Sequence, residues 1–269
     1  YPERRCLVEA AVDRMVRAAA GAPALPGPPV ALVVPHAGWR YSGFAAAAAF
    51  RNLRPGDFDR VVVVAPSHTA AFAGFAIPEV SAFRTPAGEI PLCQDVMKRL
   101  DDGRLVRPVA GAHDREHSIE IELPFLQARL EHFCLVPILA GQTDAGMQRD
   151  LAARLARLRD RKTLFVFSSD FTHYGPRYAY TPFGASARAA RRKIRDLDER
   201  AIGLLAQPDA AGFRAFLEET GDSICGREGL LVMLELLPRI APEAKAVRIA
   251  QYASIDIPEF EDDNSVTYV

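Results

Sequence analysis

Cysteine is scarce in this 269-residue chain: four residues, with no CxxC pair among them. A disulfide framework belongs to short, cysteine-dense secreted domains, so it does not organise this sequence. Reduced thiols in a cytoplasm are the expectation, and Cys6, Cys93 and Cys134 read as small packing residues rather than ligands. No apolar run approaches the ~20 residues a membrane helix needs, and no signal peptide is visible. Charge of one sign is lacking too. Thirty-three basic against thirty-four acidic residues leave a formal charge of −1. No global basic field exists to hold nucleic acid or an anionic membrane. Linkers, low-complexity stretches and internal repeats are absent, which favours one domain over residues 1–269, a length common for undivided α/β chains. The first residue is Tyr1 rather than Met, from which residues upstream are expected.

What the chain does have is a recurring pattern. A run rich in Val, Leu or Phe stops abruptly, and a polar cluster with one histidine follows: VALVVPHAGWRYSG (30–43), RVVVVAPSHTAAFAG (60–74) and TLFVFSSDFTHYG (163–175). Continuous apolar runs bounded by Pro, Ser or Gly read as strands covered on both faces, and FCLVPIL (133–139) is another. The spacing predicts helices over 4–20, 43–53 (Ser42 as N-cap), 93–101, 119–131 (through Pro124), 144–159, 184–206, 209–219 and 227–237. Residues 72–92 read as irregular strand pairs around a turn at TPAGE, and 102–118 as a loop. Strands near 246–254 and 264–269 close the chain. This alternation predicts a single α/β domain whose central sheet is mixed, largely parallel and flanked by helices.

In open α/β sheets ligands bind beyond the carboxyl ends of the strands. His36, His68 and His173 each follow a predicted strand. Cys225, in GDSICGREGLLVMLELL (221–237), precedes a helix whose dipole, with Arg227 beside it, favours a thiolate. These four residues are the candidates to bind a metal or move a proton, imidazole being the commonest metal ligand. Asp170, close to His173, suits an imidazole-orienting carboxylate, although an Asx-turn accounts for it as well. A buried turn thiol accounts equally for Cys225. His113, His117, Glu120 and Glu122 read as a solvated charged cluster, with His117 and Glu120 able to point inward behind the ligands. Trp39, Arg40 and Tyr41 suit a pocket mouth or a surface turn.

Taken together, PHAGWRYSG (35–43), PSHT (66–69), TPAGEIP (85–91), EHSIEIELPFLQ (116–127), SSDFTHYG (168–175) and SICGRE (223–228) closely resemble the MEMO family, in order over the whole chain. The resemblance implies the fold of the LigB-type (class III) extradiol dioxygenases. It also implies a metal site of His36, His68 and Cys225, with His173 as acid–base group and Asp170 as the acidic pocket residue beside it. Tyr1-Pro2 is similar to the family's early FYP segment, which implies about a dozen residues upstream. The cysteine stands where the dioxygenases carry a carboxylate. A softer thiolate favours Fe(II), with copper or zinc as other occupants, and alters any oxygen chemistry. Ring cleavage is therefore not inherited with the fold. Bacterial members resemble protein B of the AmmeMemoRadiSam system, which implies an AMMECR-type and a radical SAM companion. The expectation is a cytoplasmic metal-dependent oxidoreductase. Its rivals are a module that binds a peptide or small anion in the same pocket, and a Cys–His hydrolase with Cys225 as nucleophile and His173 as base.

Overall fold

In the computed structural model, which describes residues 1–258 and 263–269, helix α1 (Arg5–Ala18) precedes strand β1 (Ala31–Val34) and helix α2 (Trp39–Phe50). Strand β2 (Arg60–Pro66) leads to the short β3 (Phe75–Ile77) and to a hairpin of β4 (Ala82–Thr85) and β5 (Gly88–Pro91). Helix α3 (Gln94–Leu100), strand β6 (Val106–Pro108) and two short helices, α4 (His117–Glu120) and α5 (Leu123–Arg129), follow. The remaining elements are β7 (Cys134–Ala140), α6 (Ala145–Ala156), β8 (Thr163–Ser168), β9 (His173–Tyr174), α7 (Ala187–Ala206), α8 (Ala210–Thr220), α9 (Arg227–Ile240), β10 (Tyr252–Ala253) and β11 (Ser265–Tyr268).

The main sheet has six strands in the order β1-β8-β2-β7-β3-β6. All neighbours are parallel except β3 against β7. The expected α/β domain, with its central mixed but mostly parallel sheet, is thus what the chain forms. Val61 to Ala65 of β2 and Leu164 to Phe167 of β8 are buried throughout, as strands covered on both faces must be. Each such valine is worth about 1.5–3 kcal/mol of burial. The order β1-β8-β2 puts three parallel strands side by side, so their carboxyl ends open on one shared edge. Beyond the main sheet, β11 pairs with β9 and β10, tying the chain's end to the His173 segment. No helix among the described residues is long and apolar enough to cross a membrane.

Four local expectations change. Helix α2 begins at Trp39, a turn earlier than predicted, because Ser42 does not cap it: its hydroxyl donates back to the Ala37 carbonyl at 2.7 Å. The single helix drawn through Pro124 is two, and Pro124 lies in the first turn of α5, where a missing N–H costs nothing. The 102–118 loop contains β6, set up by Asp102 Oδ1 accepting the N–H groups of Arg104, Leu105 and Val106 at 3.0, 2.8 and 3.1 Å. Lastly, Cys93 and Cys134 are disulfide-bonded rather than separate packing thiols. The Leu92–Leu135 bridge lays the two segments side by side, with Cα atoms of the cysteines 5.1 Å apart. This bond sits at the amino end of β7, opposite the edge where the histidines gather.

Candidate metal centre

His36 follows β1 directly and is 1 % exposed. Its loop is held from below by Asp170, whose Oδ1 accepts the backbone N–H of His36 at 2.8 Å and of Ala37 at 3.2 Å. The ring is fixed by hydrogen-bond accounting. Ser168, the last residue of β8, gives its only proton to the Ser118 carbonyl at 2.7 Å, so it accepts from His36 Nδ1, also at 2.7 Å. Nδ1 therefore carries the hydrogen, and the Nε2 lone pair faces Cys225 Sγ at 3.2 Å. Burial, reinforced by the other histidines nearby, pushes the His36 pKa well below its ordinary value. The ring is a neutral imidazole, the form that ligates metal.

His68 follows β2 in the same way. Glu116 Oε1 accepts from its Nδ1 at 3.0 Å, and Oε2 accepts its backbone N–H, so Nε2 is the ring nitrogen left outside that pairing. Burial alone would raise the Glu116 carboxyl, but the His68 ring and backbone N–H groups and that of Ser118 outweigh it and hold it down to about 2. A carboxylate on the outer nitrogen is the support metal-binding histidines ordinarily have. His117 Nδ1 lies 3.4 Å from the same Glu116 oxygen, and its ring is 5.0 Å from that of His68 and 5.8 Å from that of His36.

Cys225 comes from the turn before α9, a helix packed on β2 and β8. Gly226 permits the approach: a Cβ there would collide with the Ser168 carbonyl and the Ser169 side chain. The Gly226 N–H donates to Ser169 Oγ at 3.1 Å. The expected thiolate is not what this environment favours. Burial and the neighbouring Asp170 push the thiol well above its usual pKa, and Arg227 leans on Glu228 at 3.8 Å instead of on the sulfur.

Among the described residues, two groups of side chains have donor atoms all within 4.8 Å of one another, and each could hold a metal ion: His36, His68 and His117, and His36, Asp170 and Cys225. His36 is common to both. His68 and Cys225 fall in different groups, so the three expected ligands do not by themselves make one such cluster. His173 belongs to neither group. Its Nδ1–H donates to the Phe171 carbonyl at 2.9 Å, so that carbonyl, and not Asp170, orients the ring. Burial lowers its pKa, against the pull of Asp170.

Two candidates have plainer roles. Trp39 donates its indole N–H to the Ile121 carbonyl at 2.9 Å and packs between Tyr1 and Phe125, which makes it an anchor for α2. Glu120 accepts from the Tyr1 hydroxyl. The sequence reading passes over Ser168 and Glu116; His117 is half exposed, as the solvated reading has it, yet its ring stands beside those of His36 and His68. The signal in the sequence is the acid–histidine–serine triplet just before a predicted helix, a pattern shared with ordinary charged helix N-termini.

A family model described as Memo-like protein matches residues 1–269. Protein MEMO1 of Danio rerio is 30 % identical over 255 residues, covering 92 % of this chain and 86 % of that protein. Protein MEMO1 of Homo sapiens is 28 % identical over 249 residues, 90 % and 84 % of the two chains. The memo-1 homolog of Caenorhabditis elegans is 32 % identical over 210 residues, 76 % and 60 %. The chain belongs to the Memo-like family.

Proposed function

We propose that this Memo-like protein binds one non-haem metal ion through His36, His68 and Cys225 and uses it for redox chemistry, with Fe(II) the favoured occupant and copper or zinc the others. The observation that carries this reading is the contact of Cys225 Sγ with a lone pair on His36 Nε2 at 3.2 Å. The donor set fits: imidazoles with a thiol suit iron, copper and zinc, whereas oxygen-only clusters suit magnesium or calcium. The outer nitrogens of both histidines are already engaged, by Ser168 and Glu116. Three protein ligands leave coordination positions open, as catalytic sites require. When bound, such an ion supplies Lewis acidity and, for iron or copper, one-electron chemistry.

The protein's own residues do the rest. Asp170 clamps the His36 loop through two backbone N–H groups. His173, kept neutral by burial and outside both ligand groups, is the proton-transfer residue, with Nε2 as its basic nitrogen once Nδ1–H is given to Phe171. A peptide or small molecule is the ligand expected in this pocket, and AMMECR-type and radical SAM proteins the companions. Cys225 is a free thiol, available as a ligand, in the same chain as the Cys93–Cys134 disulfide. The hydrolase reading loses ground because Cys225 Sγ contacts His36 Nε2 and the Asp170 carbonyl, rather than His173, the base that reading requires.

Elemental analysis of protein purified anaerobically without added metal tests the proposal. The expected result is about one ion per chain, with His36→Ala and Cys225→Ser each binding at least ~10-fold more weakly. His173→Ala should keep the metal and slow oxygen uptake by the Fe(II)-loaded protein by about 10²–10⁴-fold. A wild-type protein that takes up no transition metal leaves only the binding module.

A further inference from the structure

A cavity of about 410 Å³ lies between α7 and the β10–β11 pair, away from the histidines. Its volume suits a small organic molecule. Helix α7 turns Arg188, Arg192 and Arg195 toward it at i, i+4 and i+7 spacing, with Arg191 beside them. Like charges at that spacing repel along a helix. Asp256 neutralises Arg191 with a contact of 2.7 Å, but among the described residues Arg192 and Arg195 meet no carboxylate.

The interior gives a second, independent sign. Alternation along β11 turns Ser265 and Thr267 to the same face, toward α7. Thr267 donates to Asp198 at 3.0 Å. Ser265 is 0 % exposed, yet its hydroxyl has no partner, and the side-chain nitrogen of Gln251 on the cavity wall has none either. Buried polar groups without partners are rare and costly. Ile194, Ala253 and Ile255 supply apolar walls.

The geometry points to a second binding site here, for a small amphiphilic anion: an apolar body against Ile194 and Ile255, an acidic head between Arg192 and Arg195, and an acceptor for Gln251 and Ser265. Guanidinium groups recognise carboxylate and phosphate alike, so the probes separate the two. Isothermal titration of the full chain with phenyl phosphate, benzoate, inorganic phosphate and benzyl alcohol tests the site. Saturable one-to-one binding of phenyl phosphate is expected, weaker for benzoate and absent for the neutral alcohol. The Arg192→Ala/Arg195→Ala variant should bind about tenfold more weakly or worse. Ala189→Trp, an exposed position at the cavity edge, should block binding without touching the core. His36→Ala should leave it intact, which separates this site from the metal centre. No saturable binding, equal binding by the double-arginine variant, or loss in His36→Ala overturns the proposal. Inorganic phosphate binding as tightly as phenyl phosphate overturns the apolar half of it.

Discussion

Removing the Ser168 hydroxyl tests the tautomer that the proposed metal centre depends on. In the wild-type chain one hydroxyl serves two partners, donating to the Ser118 carbonyl and accepting from His36 Nδ1. Ser168→Ala strands both, and Ser118, Ser168 and His36 are each no more than 1 % exposed, so water does not readily replace the lost partner. Each orphaned buried group costs about 1–3 kcal/mol, and urea unfolding should register a loss in that range or somewhat above it. The more telling effect is on the metal. Without a partner at Nδ1 the ring is free to turn or to carry its proton on Nε2, where it blocks the lone pair. Losing such an outer hydrogen bond typically weakens metal binding by about 10–100-fold, or roughly 1.4–2.7 kcal/mol.

Competition with a chromophoric chelator measures that loss, with His173→Ala, which strips no ligand, as the comparison. Nitrogen NMR of the metal-free wild-type protein tests the premise directly, and does so without depending on a variant that folds. His36 should show a protonated Nδ1 and a bare Nε2. A His36 found with its proton on Nε2, or a Ser168→Ala protein that holds metal as tightly as wild type, refutes the reasoning.

Other consequences are as direct. If His68 rather than His117 completes the ligand set, His68→Ala should lower metal affinity by about tenfold or more while His117→Ala changes it by less; the reverse order in the same competition assay would move the third ligand to α4. Cys93 and Cys134 lie 41 residues apart, so reducing their bond should cost about 3–4 kcal/mol by loop entropy, read from urea midpoints with and without dithiothreitol, and leave metal stoichiometry unchanged. Burial, against two threonine hydroxyls, pushes Asp198 up to about 7, and Asp222 is up to about 6. A raised carboxyl stabilises the fold below its ordinary value and loses that contribution as pH climbs through the folded one, so stability should fall by about 2–3 kcal/mol between roughly pH 5 and 8 for Asp198 alone, and Asp198→Asn should flatten that slope.

The half of the candidate metal centre that lies at strand ends is legible in the sequence, and the reason is geometric. A run such as VVVV stops where its strand stops, so the histidine after it must stand at the sheet's carboxyl edge. Strand order then decides whether two such residues meet. Nothing in the sequence dictates that β8 lies between β1 and β2, yet that placement brings Ser168 and Asp170 under His36. The other half arrives from outside the sheet, where no periodicity marks it. Helix α4 has only four residues, too short to have a readable apolar face. Its position comes from one side chain and its own carbonyl: Ser118 donates its hydroxyl to the Pro66 carbonyl at the end of β2 at 2.8 Å, and its carbonyl accepts from Ser168 at the end of β8. With the helix pinned between two strands, Glu116 must fall against His68, and His117 beside it. The same serine thus sets the His36 tautomer through Ser168 and delivers the carboxylate that holds the His68 ring. A residue that would pass in the sequence for an ordinary N-terminal helix position is the joint between the two halves of the centre.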